Sequence, residues 1–259
     1  MSEHIRLRWA MPPRTTGKGG LHEAVAKYLD PRTVIDSPEP AGRGPGHLEY
    51  HFYQALIMVD MLRSIKQAER EGYDGAVIGC FYDPGLREAR EIVESMVVTA
   101  PAESAMHIAS TLGNRFSIIV GREKWIPRMH ENVVNYGFRD RLASFRSVDL
   151  GVPDFHQNEQ LALERIRRAA VAAVKEDRAE VIILGCTMQY GFFESLQDEL
   201  GVPVIDAAVA AVKYAEFLVT LRRCAGWSHS KRGDYESPPR DEIKAWGLDK
   251  DYHLGTLWG

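Results

Sequence analysis

The sequence predicts an α/β protein with parallel strands, built as two similar halves, and three observations carry that expectation. Short apolar runs alternate with segments of helical periodicity along the chain, which is the pattern of parallel layering. One phrase, Gly75-Ala-Val-Ile-Gly-Cys80, is echoed as Val181-Ile-Ile-Leu-Gly-Cys186. At 259 residues the chain is long enough for two lobes that each bury a core.

The elements follow in order. Strands are predicted at Ile5–Trp9, Ala76–Gly79, Phe116–Val120, Val181–Leu184 and Val202–Ile205. Between them, Tyr53–Glu71 reads as a helix with apolar positions Leu56, Val59, Leu62 and Ile65, and Gln160–Glu176 as one rich in Ala, Leu, Ile and Arg. Val97-Val98 leads to the helix-like Glu103–Leu112, and Val202–Ile205 to Asp206–Leu221, which extends the repeat beyond the two cysteines. Ser37–Gly46 and Ser228–Arg240 carry the Gly, Pro and Ser of irregular backbone.

Composition narrows the function classes. Hydrophobic and charged fractions of 45% and 26% are those of an ordinary globular protein, and a net charge of −4 gives no basic field for nucleic acid. No run approaches the ~18 apolar residues of a membrane span, and Met1–Trp9 mixes charge into its apolar residues, unlike a signal peptide. A cytoplasmic protein without a membrane partner is expected. Three scattered cysteines, Cys80, Cys186 and Cys224, read as reduced thiols rather than as a disulfide framework.

Cys80 and Cys186 each follow an apolar strand and a glycine, and another glycine, Gly85 or Gly191, stands five residues on. Ligands of open α/β sheets bind beyond the carboxyl ends of strands, so two facing lobes would present both thiols to one cleft. A helix amino terminus beside each sulfur would lower its pKa and make a thiolate able to accept a proton. Cys224, inside a helical continuation, is read as inert. Other constellations are weaker. His47-Leu-Glu-Tyr-His51 lacks the metalloprotease glutamate, so no metal site is expected. Gly17-Lys-Gly-Gly20 lacks P-loop spacing and reads as an entry loop, Arg43 in the glycine-rich Gly42–Gly46 loop reads as a substrate contact, and Asp83 reads as the cap of a helix starting near Pro84. Glu103 and Asp206 are capping candidates for their own helices, and the segment from Trp227 is expected to drape over a neighbouring lobe or subunit.

Gly79-Cys-Phe-Tyr-Asp-Pro-Gly-Leu-Arg-Glu-Ala-Arg90 resembles the first cysteine motif of hydantoin and allantoin racemases, in the aspartate/glutamate/hydantoin racemase superfamily. Further pieces agree in order: Glu103-Ser-Ala-Met-His, Arg115-Phe-Ser-Ile-Ile, Glu180–Cys186, Gly201-Val-Pro-Val-Ile-Asp206 and Ser230-Lys-Arg-Gly-Asp-Tyr235. The resemblance runs from about Glu49 to Pro238. It implies two pseudo-symmetric Rossmann-like lobes with parallel sheets: residues 1–98 plus 207–259 form the first, with a C-terminal tail, and 99–206 the second. The active site would lie between them.

The resemblance also implies a racemase or epimerase that works without metal or organic cofactor on a small molecule such as a 5-substituted hydantoin, as a homo-oligomer. Cys80 and Cys186 would exchange a proton with the substrate carbon from opposite faces, and backbone N–H groups at the turns after them would hold the enolate oxygen. Phe81, Thr187, Val120 and Gly121 are the substrate-binding candidates, with Pro13, Arg14 and Thr15 where relatives carry Asn-Pro-Asn-Thr. Val120-Gly121 replaces the paired threonines of hydantoin racemases, Trp125 stands near a usually small residue, and Thr187-Met-Gln-Tyr departs from the small residues expected after Cys186. These differences put the substrate in question more than the reaction type. Rival readings are an acidic amino-acid racemase, a decarboxylase of the arylmalonate type, which needs only one cysteine, and a binding protein with incidental thiols.

Overall fold

The computed structural model describes residues 4–10, 20–37 and 44–252. The first half runs β1 (Ile5–Ala10), α1 (Gly20–Ala26), β2 (Thr33–Asp36), α2 (His51–Arg70), β3 (Gly75–Ile78), α3 (Leu86–Ile92), β4 (Val97–Thr99) and α4 (Pro101–Leu112). The second half repeats it as β5 (Phe116–Val120), α5 (Ile126–Asn135), β6 (Leu142–Ser147), α6 (Glu159–Lys175), β7 (Val181–Leu184), α7 (Phe193–Leu200), β8 (Val204–Asp206) and α8 (Ala207–Ala225). Two short helices, α9 (Arg240–Ala245) and α10 (Leu248–Asp251), follow. The strands form two parallel four-stranded sheets of one topology, β2-β1-β3-β4 and β6-β5-β7-β8. The expected α/β fold with two parallel sheets is therefore present.

The central strands β3, β5 and β7 are buried at every position. Covered on both faces, they read as unbroken apolar runs. The helix α2 corrects one sequence expectation. Its buried apolar residues are Ile57, Met61, Ile65 and Ala68, whereas Leu56 is 58% and Val59 36% exposed. A strict spacing of three turns backward by about 60° per step on a helix of 3.6 residues per turn, so such a series walks around the cylinder. Alternating fours and threes stay on one face.

The last helix of each half crosses over. α4 packs on β7 and β8 of the second sheet, α8 packs on β1, β3 and β4 of the first, and the two helices lie against each other. Ala208, Ala211, Val212, Ala215 and Val219 of α8 join Leu7, Trp9, Val77 and Val97 in one cluster, while its Ala207 and Ala210 join the core of the second half. This reciprocal exchange holds the ends of the two sheets close together. The chain after α8 returns to the first half: His229 Nε2 accepts from the Val98 N–H at 2.9 Å, Arg90 donates to Tyr235 Oη at 3.2 Å and Ser237 Oγ donates to Glu91 O at 2.6 Å.

Candidate active site

Cys80 and Cys186 each stand two residues beyond the third strand of their half, and both line one pocket of about 490 Å³, counted out to its open mouth. The preceding glycine is required where the sheet is tight. A Cβ on Gly185 would meet Ile118 Cγ2 at 2.7 Å and Ile119 O at 3.0 Å, so only glycine lets the chain leave β7 this close to β5. Thr187 Oγ1 donates to Gly79 O at 3.0 Å, tying the turn of the second half to that of the first.

The two thiols have matching surroundings. The backbone N–H of Tyr82 donates to the Cys80 sulfur and that of Met188 to the Cys186 sulfur, in each case from two residues on. Both cysteines are half-buried, with dense protein behind and the pocket in front. Burial pushes each thiol up to about 12; the Cys186 sulfur and Asp83 raise Cys80 further, and Glu49 and Asp206 raise Cys186. This corrects the expectation of thiols activated by helix ends: one N–H each does not offset removal from water. At neutral pH both are neutral acids, and the thiolate formed from either is a strong base in an apolar site.

The other candidates separate into three groups. Phe81 and Thr187 border the pocket beside the cysteines. Val120 lies fully buried in the core of the second half, and Gly121 lies behind the wall: a Cβ there would meet the Trp125 ring at 2.3 Å. Its contribution is to leave room for Trp125, which does line the pocket. Pro13, Arg14 and Thr15, with Arg43 and residues 17–19, lie outside the described residues. His47 borders the pocket and His51 begins α2. Among the described residues, no group of three His, Cys, Asp or Glu side chains is close enough to hold a metal ion, and no helix is long and apolar enough to cross a membrane.

Glu49 was not anticipated. Its side chain is only 4% exposed, and it comes from the first half to accept from Arg122 at 2.8 Å, Trp125 Nε1 at 3.3 Å and the Val152 N–H at 3.0 Å, all in the second. Burial opposes its charge, but the Val152 N–H and the Arg122 guanidinium outweigh it and hold the carboxyl below its ordinary range. A second cross-link joins Tyr28 and Lys27 of the first half to Glu194 of α7, with Tyr28 Oη donating at 2.6 Å. The two halves are thus joined at a second place besides Glu49. Leu48, Met129, Val152 and Met188 add to a mainly apolar wall.

Asp83 is also placed differently from expectation. It accepts from the Ala102 and Glu103 N–H groups at 2.9 and 2.8 Å and from Tyr136 Oη at 2.9 Å, so it caps α4 rather than the helix that follows it. Glu103 instead forms a buried ion pair with Arg90. Asp206 caps α8 as expected, accepting from the Ala208 and Val209 N–H groups. Burial pushes Asp83 up to about 7 and Asp206 up to about 6 against these hydrogen bonds. Both carboxyls therefore anchor the crossing helices.

Two sheets of one topology, each third strand followed by a glycine and a cysteine, define a two-lobed α/β protein with a paired-thiol cleft. Residues 20–215 match the family model described as Asp/Glu/Hydantoin racemase. Hydantoin racemase of Paenarthrobacter aurescens is 41% identical over 217 residues, 83% of this chain and 89% of that protein. Hydantoin racemase of a Pseudomonas species is 38% identical over 234 residues, 89% of this chain and 91% of its own length. Allantoin racemase from Klebsiella pneumoniae superposes with a TM-score of 0.84 at 33% identity, covering 91% of this chain and 94% of that one. The chain belongs to the Asp/Glu/hydantoin racemase family, and it is an isomerase.

Proposed function

We propose that the protein racemises a 5-substituted hydantoin or a related cyclic ureide by a two-thiol mechanism. One cysteine, as thiolate, removes the proton from the carbon beside the carbonyl; the electron pair moves onto the carbonyl oxygen, and the other cysteine delivers its own proton to the opposite face. The enzyme leaves the turnover with the roles of Cys80 and Cys186 exchanged. The observation that carries this reading is the pair of matched cysteine turns on one pocket, each sulfur accepting an N–H from two residues on. A ring already acidified by its ureide nitrogens leaves less stabilisation for the protein to supply.

The apolar wall built by Leu48, Phe81, Trp125, Met129 and Met188 favours a bulky, apolar 5-substituent over a polar one. No metal or organic cofactor takes part in this scheme, and we take the chain to act as a homo-oligomer, with 1–98 plus 207–259 and 99–206 as its two lobes. The test is a panel of benzyl, isobutyl and unsubstituted hydantoins, allantoin, aspartate and glutamate in D2O, followed by polarimetry and NMR. Racemisation with deuterium uptake, fastest for benzyl or isobutyl hydantoin, is expected. Turnover of the amino acids alone would overturn the ureide reading, and no exchange with any compound would overturn catalysis.

A further inference from the structure

The side-chain donors around the two thiols are nearly all engaged. Thr187 Oγ1 gives its hydrogen to Gly79 O, and Trp125 Nε1 donates to Glu49. The backbone N–H groups of Tyr82 and Met188 are held by the sulfurs. The resulting question is which group receives the charge that develops on the substrate oxygen.

Among the side chains that border the pocket the Tyr82 hydroxyl is an exception; the unpartnered Gln189 amide and Arg128 Nε lie outside that lining. Tyr82 is only 5% exposed, borders the pocket, and its hydroxyl has no hydrogen-bond partner among the described residues. That hydroxyl is not among the unpartnered polar atoms sealed off from solvent, and the pocket is the cavity that this residue lines. The backbone around it is fixed: the Tyr82 N–H is on Cys80, and Asn132 Nδ2 donates to Tyr82 O at 2.9 Å. The hydroxyl lies within electrostatic reach of both thiols and of Glu49. A phenylalanine would line an apolar wall as well, without placing a hydroxyl on the pocket. A tyrosine here calls for an acceptor that arrives with the ligand.

We propose that Tyr82 Oη donates a hydrogen bond to the substrate carbonyl oxygen beside the reacting carbon, and so holds the enolate oxygen during proton transfer. This rests on the ureide racemase reading and adds a catalytic residue to it. In the step, the thiolate sulfur takes the proton from carbon, the C–H electron pair becomes the carbon–carbon π bond, and the carbonyl π pair moves onto oxygen. Tyr82 keeps its own proton throughout; burial pushes its ionisation well above the ordinary tyrosine range. The repeat makes the contribution one-sided, because Met188, at the equivalent place two residues after Cys186, has no donor to offer. His47, the other unlike group on the wall, has Nδ1 facing the Glu49 N–H at 3.4 Å and is a quarter exposed, a poorer place for a desolvated donor.

The experiment compares full-length wild type with Tyr82→Phe on 5-benzylhydantoin and on its analogue with sulfur replacing the carbonyl oxygen beside the reacting carbon. Loss of one preorganised donor to a developing oxyanion costs about 10²–10³ in kcat. We expect a fall of about a hundredfold with KM changed less than about threefold, and a matching collapse of the variant's oxygen-over-sulfur preference. A merely structural role would not move that preference. An active wild type, with the variant's kcat within about threefold and the preference unchanged, overturns this inference and leaves the racemase reading standing. A wild type inactive on every ureide overturns both. Thermal unfolding certifies the fold of the variant; should the phenylalanine form fail it, Tyr82→Met, which copies the residue at the equivalent place in the other lobe, is held to the same outcomes.

Discussion

Replacing Gly121 by alanine tests whether the pocket wall is built as described. The added Cβ would lie 2.3 Å from Trp125 Cη2, 2.5 Å from Cζ3 and 2.4 Å from Leu150 O. Ordinary carbon–carbon contact is about 3.5–4.0 Å, so the ring must retreat by roughly 1.2 Å or more. It cannot do so freely: Trp125 is 2% exposed and its indole N–H is held by Glu49. On the other side the clash is with backbone, and the Gly121 carbonyl is itself bonded to the Leu150 N–H at 2.9 Å. Overpacking of this kind costs about 1–3 kcal/mol, and the backbone clash puts the change at the upper end. At about 2–4 °C per kcal/mol for a chain of this size, Gly121→Ala lowers Tm by roughly 6–12 °C. Because Trp125 forms pocket wall, kcat/KM for 5-benzylhydantoin should fall by more than for 5-methylhydantoin. Thermal unfolding and parallel kinetics on the two substrates are the assays. A variant within about one degree of wild type, with an unchanged ratio of the two activities, would refute the reasoning.

Three other outcomes follow. Glu49→Ala removes the acceptor of three hydrogen bonds between the halves, so it should lower stability by about 1–3 kcal/mol and raise KM; a melting curve and KM equal to wild type would contradict the clasp. With both thiols pushed up to about 12, the reactive thiolate grows about tenfold per pH unit below that value. Log kcat/KM on an N3-methylated hydantoin, which cannot ionise at N3, should therefore climb with a slope near one from pH 7 to 10, and a plateau below pH 8 would argue against neutral resting thiols. Asp83 and Asp206, pushed up to about 7 and 6, bind protons more tightly folded than unfolded. Their contribution to stability is complete below the ordinary carboxylate pKa and is lost as pH rises through 6 to 7, so Tm should fall between pH 5 and 8. Asp83→Ser and Asp206→Ser should each flatten part of that fall, and an unchanged profile in both would count against it.

The parts of this molecule that could be read from its sequence are those where one segment determines its own environment. β5 and β7 are covered on both faces, so Phe116–Val120 and Val181–Leu184 are continuous apolar runs and their limits match expectation. The edge strands β2 and β6 do not announce themselves. β6, Leu-Ala-Ser-Phe-Arg-Ser from 142 to 147, is half-buried at every position and keeps polar residues such as Arg146, which pairs with Asp177; β2 pairs with a single neighbour and ends in Asp36. The same distinction applies at the site. The cysteine phrases are local and repeat, so they stand out. Glu49 and Tyr82 acquire their surroundings only when the two halves close on each other, and neither has a spacing that signals it. The place two residues after each cysteine was the available clue, since Tyr82 and Met188 occupy it in the two phrases. Asp83 shows the limit of local capping rules: it stands directly before Pro84, yet the N–H groups it accepts belong to a helix nearly twenty residues on.

The central claim is that each thiol serves one face of the substrate carbon. Cys80→Ser and Cys186→Ser test it most directly, each followed on separate enantiomers of 5-benzylhydantoin in D2O. A hydroxyl is far too weak an acid to replace a thiol in this exchange, so net racemisation should be lost in both variants. The remaining thiol should still exchange deuterium into a single enantiomer without inversion, and that enantiomer should swap between the two variants. Racemisation at the wild-type rate by either one would contradict the two-thiol account.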